Sequence, residues 1–102
     1  MSPNITDEVK AGIGTAVAAE LNGARYRLLL FGSRSRGTAS VRSDYDIGIA
    51  ADAPVALDRL ARIREALDAL PVMQRIDLVD LGAVSPAFAA AVTQEAVVLD
   101  EH

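Results

Sequence analysis

The chain has 102 residues, 51% of them hydrophobic, and a formal net charge of −4. That length suits one domain over residues 1–102, whose single core stays modest because a domain of this size buries somewhat under about 70% of its unfolded surface. Ten basic residues without a long run argue against a protein built to grip a nucleic-acid backbone, and the lack of cysteine removes disulfides, zinc-thiolate sites and thiol catalysis. Met1-Ser2-Pro3-Asn4 has neither the basic nor the apolar part of a targeting signal. The longest strongly apolar run, Leu28 to Phe31, is far too short to span a membrane, so the expected location is the cytoplasm, with no membrane contact.

Ile5, Val9, Ile13, Ala16, Val17 and Leu21 recur at helical spacing and predict a first helix. Asp7 and Glu8 suit its positive end, and Asn22-Gly23 supplies a left-handed stop. Tyr26 to Phe31 reads as a short buried strand, and Gly32 to Gly37 as a turn entering a short helix. Ser43 to Ala50 alternates: Asp44, Asp46 and Gly48 fall on one face, Tyr45, Ile47 and Ile49 on the other, as in a half-buried strand.

Asp52 is the expected cap of the next helix, with Pro54 in its first turn and Leu60, Ile63, Leu67 and Leu70 as its buried stripe. Asp58 with Arg62, and Arg64 with Asp68, are spaced for pairing on its wet side, and Pro71 ends it. Arg75 to Leu81 predicts a third strand. Ser85-Pro86 opens a helix running to about Gln94, and Val97-Val98-Leu99 a short closing strand. The expected fold class is α/β (α+β), a small sheet of about four strands covered by helices.

The stretch that carries chemistry is Leu30-Phe31-Gly32-Ser33-Arg34-Ser35-Arg36-Gly37, followed by Ser43-Asp44-Tyr45-Asp46-Ile47. A strand that ends in Gly-Ser before a helix leaves backbone N–H groups free to hold an anion. Gly32 has no Cβ to keep a phosphate from the backbone, and Ser33 adds a hydroxyl. Asp44 and Asp46 point the same way, their Cα atoms about 6.6 Å apart at a rise of ~3.3 Å per residue. Aspartate is depleted in strands, and two on one face repel unless a cation lies between them, which suits the oxygen-seeking Mg²⁺. A third carboxylate on a neighbouring strand would complete a site for two metal ions roughly 3.5–4 Å apart. Asp77 and Asp80 compete for that place, each flanked by apolar residues; alternation puts them on opposite faces, and Asp77, within the strand, is preferred.

Gly32-Ser33, ten residues and Asp44-x-Asp46 together resemble the signature of the polymerase-β-like nucleotidyltransferases. The wording Gly-Ser-Arg-x-Arg-Gly and Ser-Asp-Tyr-Asp-Ile is closest to the minimal nucleotidyltransferase subgroup. One departure, Ser35 where alanine is commoner, is conservative. The resemblance implies a nucleotidyltransferase fold with a mixed sheet, ATP bound at the Gly-Ser turn, and two Mg²⁺ ions held by Asp44, Asp46 and Asp77. Asp77 would also help deprotonate the acceptor hydroxyl. It further implies an antitoxin that transfers AMP to a hydroxyl, often tyrosine, of a helical HEPN-type partner. Two alternatives stay open: a non-catalytic nucleotide-binding antitoxin, and transfer to a small molecule such as an aminoglycoside.

Other readings are weighed against these. Ser33 is also suited to cap the short helix, a role that does not exclude phosphate binding. Arg34 and Arg36 either neutralise a triphosphate or form a solvated pair that holds the turn. Tyr45 and Ile47 are core, and His102 is inert. Gly32-x4-Gly37-Thr38 imitates a P-loop but lacks its lysine, and Gly12-Ile13-Gly14 lies inside a helix with no preceding strand. The alanine-rich composition is compatible with a homodimer that hides an apolar face.

Overall fold

The computed structural model describes residues 5–37, 40 and 42–102; Met1 to Asn4 and Thr38, weighed above from sequence, lie outside them. The order is α1 (Asp7–Leu21), β1 (Tyr26–Phe31), α2 (Ser33–Arg36), β2 (Tyr45–Ala51), α3 (Leu57–Asp68), β3 (Ile76–Asp80), α4 (Pro86–Glu95) and β4 (Val97–Glu101). The four strands form one mixed sheet in the order β3-β2-β1-β4. β1 runs antiparallel to both β2 and β4, and β2 parallel to β3. The parallel pair is joined through α3, as the crossover between parallel strands requires.

Alternation along the strands divides the core in two. Leu28, Leu30, Tyr45, Ile47, Ile49 and Leu78 face α1 and α3, where Ile13, Val17, Leu60, Ile63 and Leu67 complete the larger cluster. Each such aliphatic side chain contributes about 1.5–3 kcal/mol when fully buried. Leu29, Leu81 and Val92 form a smaller cluster on the opposite face, under α4. Asp46 and Asp77 share the parity of this second face.

The expected acidic first turn of α1 is present, and sequence expectations and structure differ further along the chain. Thr6 caps α1, its hydroxyl accepting the Val9 N–H at 3.2 Å; the acidic Asp7 and Glu8 follow in the first turn. Asp52 does not cap α3, which begins at Leu57 with Ala56 in the cap position and no side-chain cap bond. The cause is long-range: the Asp80 carboxylate accepts Val55 N–H at 2.7 Å and Gly82 N–H at 3.0 Å, holding the segment before α3 as a loop. Arg62 pairs with Asp58 at 3.4 Å as expected, whereas Arg64 donates to the Leu78 carbonyl at 3.1 Å and so ties α3 to β3. His102 stacks on Tyr26 with ring centroids 4.6 Å apart and pairs with Asp100 at 2.9 Å. No helix among the described residues is long and apolar enough to cross a membrane.

Candidate active site

β1 delivers the turn. Its last residue, Phe31, pairs with Asp46 of β2, so Gly32 leaves the sheet beside the Asp46 side chain. Gly32 has φ +74° and ψ −153°, a conformation open essentially to glycine alone. A Cβ added there would also collide with a carboxylate oxygen of Asp46. Glycine is thus required twice: for the backbone angle, and for the close approach of carboxylate to turn. The Gly32 carbonyl accepts the N–H groups of Ser35 and Arg36, both at 3.2 Å, and the Ser35 hydroxyl at 2.9 Å, which closes the single turn of α2. Ser33, half-buried, opens that turn, and Gly37 ends it in the left-handed region at φ +75°.

β2 and β3 deliver the acids. The parallel register sets Asp46 directly against Asp77. Asp44 lies exposed just before β2, two residues from Asp46. Burial, then the charges of Asp77 and Asp44, raise the pKa of Asp46, while Arg36 opposes them. The three aspartates and Arg36 therefore share one field centred on Asp46. Asp77 also meets Arg75 at 2.9 Å, an ion pair with both side chains well exposed. Asp80 lies three residues further along the chain, opposite Ile49, and is buried in its bonds to Val55 and Gly82. Its carboxylate belongs to the loop before α3.

The arginines of the turn take different directions. Arg34 is buried, and its guanidinium donates to the Ser43 carbonyl at 3.1 and 2.8 Å and to the Ser40 carbonyl at 3.4 Å. It lies 4.0 Å over the centre of the Tyr45 ring, a cation–π contact. Arg34 thereby ties α2 to the start of β2, where Asp44 and Asp46 begin. Arg36 points outward and pairs with Glu95 at 3.3 Å. Glu95 was not singled out from the sequence, and it also accepts the Gly32 N–H at 3.3 Å. Its approach follows from the β1–β4 register, in which Leu30 meets Val97; two residues back along β4's approach, Glu95 comes level with Gly32.

Carboxylates on two adjacent strands are a hard oxygen donor set of the type that holds Mg²⁺. Burial first, and the charges of Asp77 and Asp44 second, disfavour the Asp46 carboxylate, and a divalent cation would relieve both. In the present side-chain positions no three acidic, histidine or cysteine groups among the described residues converge tightly enough to hold a metal. Asp77 leans to Arg75 at 2.9 Å, and turning that exposed pair apart is a small rearrangement.

Residues 26–102 match the family described as Polymerase beta, Nucleotidyltransferase. The chain belongs to that nucleotidyltransferase family. Among curated proteins, a probable protein adenylyltransferase, MntA of Haemophilus influenzae, is 32% identical over 76 residues, covering 74% of this chain and 67% of that protein. Among solved structures, a toxin-antitoxin with AMP-PNP superposes with a TM-score of 0.64 at 25% identity, covering 95% of this chain and 75% of the other. A mutant of the toxin-antitoxin MntA-HpeT gives a TM-score of 0.69 at 23% identity over 96% and 75% of the two chains. A structure from Shewanella oneidensis gives 0.66 at 18% identity over 96% and 74%. The mixed four-stranded sheet with its helices is thus the nucleotidyltransferase fold, and the protein is a nucleotidyltransferase by family.

Proposed function

We propose that this nucleotidyltransferase transfers AMP from ATP to a hydroxyl group on a helical HEPN-type partner protein, and acts as the antitoxin to that partner. The observation that carries the reading is the register of the sheet: Phe31 against Asp46 and Asp46 against Asp77 put the Gly32 turn and two carboxylates side by side. Support for AMP and for a protein acceptor comes from the relatives, one a probable protein adenylyltransferase and others components of toxin-antitoxin pairs.

In this reading the N–H groups and hydroxyl at Gly32 and Ser33 receive the triphosphate, and Arg36 offsets its charge. Asp44, Asp46 and Asp77 would hold Mg²⁺, which supplies charge neutralisation on the phosphates when bound. The acceptor hydroxyl oxygen attacks the α-phosphorus in line, the bond to the bridging oxygen breaks, and pyrophosphate leaves. Asp77 takes the hydroxyl proton, a role that requires it to release Arg75. Arg34, bonded to the Ser43 and Ser40 carbonyls, holds α2 against β2 so that turn and acids keep their spacing.

The Asp77–Arg75 pair also favours a second reading, a nucleotide-binding antitoxin without turnover. One experiment separates the two. The protein is incubated with α-labelled ATP, Mg²⁺ and its partner, beside Asp44→Asn and Asp46→Asn. Label on the partner with wild type alone is the expected result. An unlabelled partner, neutralised equally well by all three proteins, refutes transfer and selects the binding module.

A further inference from the structure

The turn at Gly32 already carries an anion supplied by the chain itself. Glu95, the last residue of α4, accepts the Gly32 N–H at 3.3 Å. The same carboxylate meets Arg36 Nη1 at 3.3 and 3.4 Å through its two oxygens. Both donors are ones that a triphosphate on this turn would use. Arg36 is also the cation whose charge reaches Asp46, so whatever anion engages it sits beside the acidic cluster.

We propose that Glu95 is a built-in competitor for the triphosphate, a residue that sets nucleotide affinity by occupying the phosphate position until the ligand displaces it. The inference rests on the triphosphate reading of the turn. Its physical basis is simple. A carboxylate and a phosphate present the same kind of oxygen to a backbone N–H and a guanidinium, and two anions cannot share those donors without repulsion. The side chains of Arg36 and Glu95 are 52% and 36% exposed, so Glu95 can swing into water by side-chain rotation, with no movement of the sheet. A ligand with one phosphate gains little by evicting it, whereas a triphosphate gains several donors at once. Glu95 therefore weakens the ligand that has to displace it, and a triphosphate displaces it more fully than a monophosphate does.

The test measures binding of α,β-methylene ATP, which cannot donate AMP, with Mg²⁺ by calorimetry. Glu95→Gln removes the charge and keeps the shape, and Glu95→Ala removes the group. Both variants are expected to bind about three- to fivefold tighter, the range that loss of one exposed competing ion pair supports. AMP, which displaces Glu95 less, is expected to gain by a smaller factor. In amide NMR the Gly32 signal of the ligand-free protein should move in Glu95→Gln and coincide with wild type once both are saturated with nucleotide. Unchanged or weaker binding in both variants, or a Gly32 signal that still differs when saturated, overturns the inference and makes Glu95 a holder of Arg36. If wild type and variants all fail to bind the analogue, the nucleotide reading itself falls and takes this inference with it.

Discussion

Asp46→Asn should make the ligand-free protein more stable and the liganded protein less so. Asp46 sits half-buried against the Gly32 turn, directly across from Asp77 and two residues from Asp44, and its pKa is raised by burial first and by those two charges second. A carboxylate whose folded pKa is raised favours protonation in the folded state, so stability falls as pH rises through the window between its ordinary and its raised value. Above that window the full cost of the charged form is present. Cross-strand charge pairs are worth roughly 0.2–1 kcal/mol each, and solvent screening at a half-buried site keeps the sum near the upper end of a single pair. Removing the charge should therefore gain about 0.5–1 kcal/mol, or roughly 2–8 °C in Tm for a domain of this size. Mg²⁺ with ATP at 100 times Kd should stabilise wild type by about 2.7 kcal/mol and the variant hardly at all, which reverses the order. Thermal unfolding with and without Mg²⁺-ATP, repeated at falling pH, reads all of this. The ligand-free difference should shrink as pH drops into the window where wild-type Asp46 takes its proton. A variant that melts at or below wild type without ligand at pH 7 refutes the account of a repulsive cluster.

Three further substitutions probe the rest of the site. Gly32→Ala meets both an unfavourable φ of +74° and the Asp46 carboxylate, and should cost about 2–4 kcal/mol in urea unfolding while also weakening nucleotide binding; a loss under 1 kcal/mol would contradict the strained turn. Asp80→Ala strips the acceptor from Val55 N–H and Gly82 N–H, and should cost about 2–3 kcal/mol, yet leave the transfer rate of the folded fraction unchanged; a specific loss of transfer at full stability would give Asp80 a role in the site. Arg34→Lys cannot reproduce the forked contact with the Ser43 and Ser40 carbonyls, and should destabilise by about 1–2 kcal/mol; wild-type stability of that variant would remove the tie between α2 and β2.

What the sequence made legible was local. The alternation of Ser43 to Ala50 set Tyr45, Ile47 and Ile49 in the core and Asp46 on the opposite face, because a period of two needs no knowledge of neighbours. The Gly-Ser turn and Asp44-x-Asp46 were readable for the same reason: β1, α2 and β2 are consecutive, and one antiparallel pair brings turn to carboxylate. Asp77 and Asp80 were harder, since both stand between apolar residues. Parity separates their faces, but which face holds Asp46 depends on the β2–β3 register, with Asp46 against Asp77 and Ile49 against Asp80. The misplaced start of α3 has the same origin, for the Asp80 bond to Val55 spans 25 residues and overrides a capping signal at Asp52. Glu95, 63 residues from Gly32, carries no motif and arrives only through the pairing of β4 with β1.

That division has a chemical consequence. On the proposed reading, the groups that would take the phosphates lie in the hairpin formed by β1, α2 and β2, while the residues that would modulate them, Asp77 and Glu95, come from β3 and α4. Each modulator is held in the ligand-free protein by an exposed arginine, Asp77 by Arg75 and Glu95 by Arg36. Exposed pairs of this kind are worth at most about 1 kcal/mol, so a bound triphosphate has enough binding energy to open both. Substitutions in the hairpin should therefore abolish binding, substitution of Glu95 in α4 should shift it by a small factor, and substitution of Asp77 in β3 should stop transfer. The two exposed ion pairs would then mark the positions where the ligand-free site must rearrange before transfer can occur.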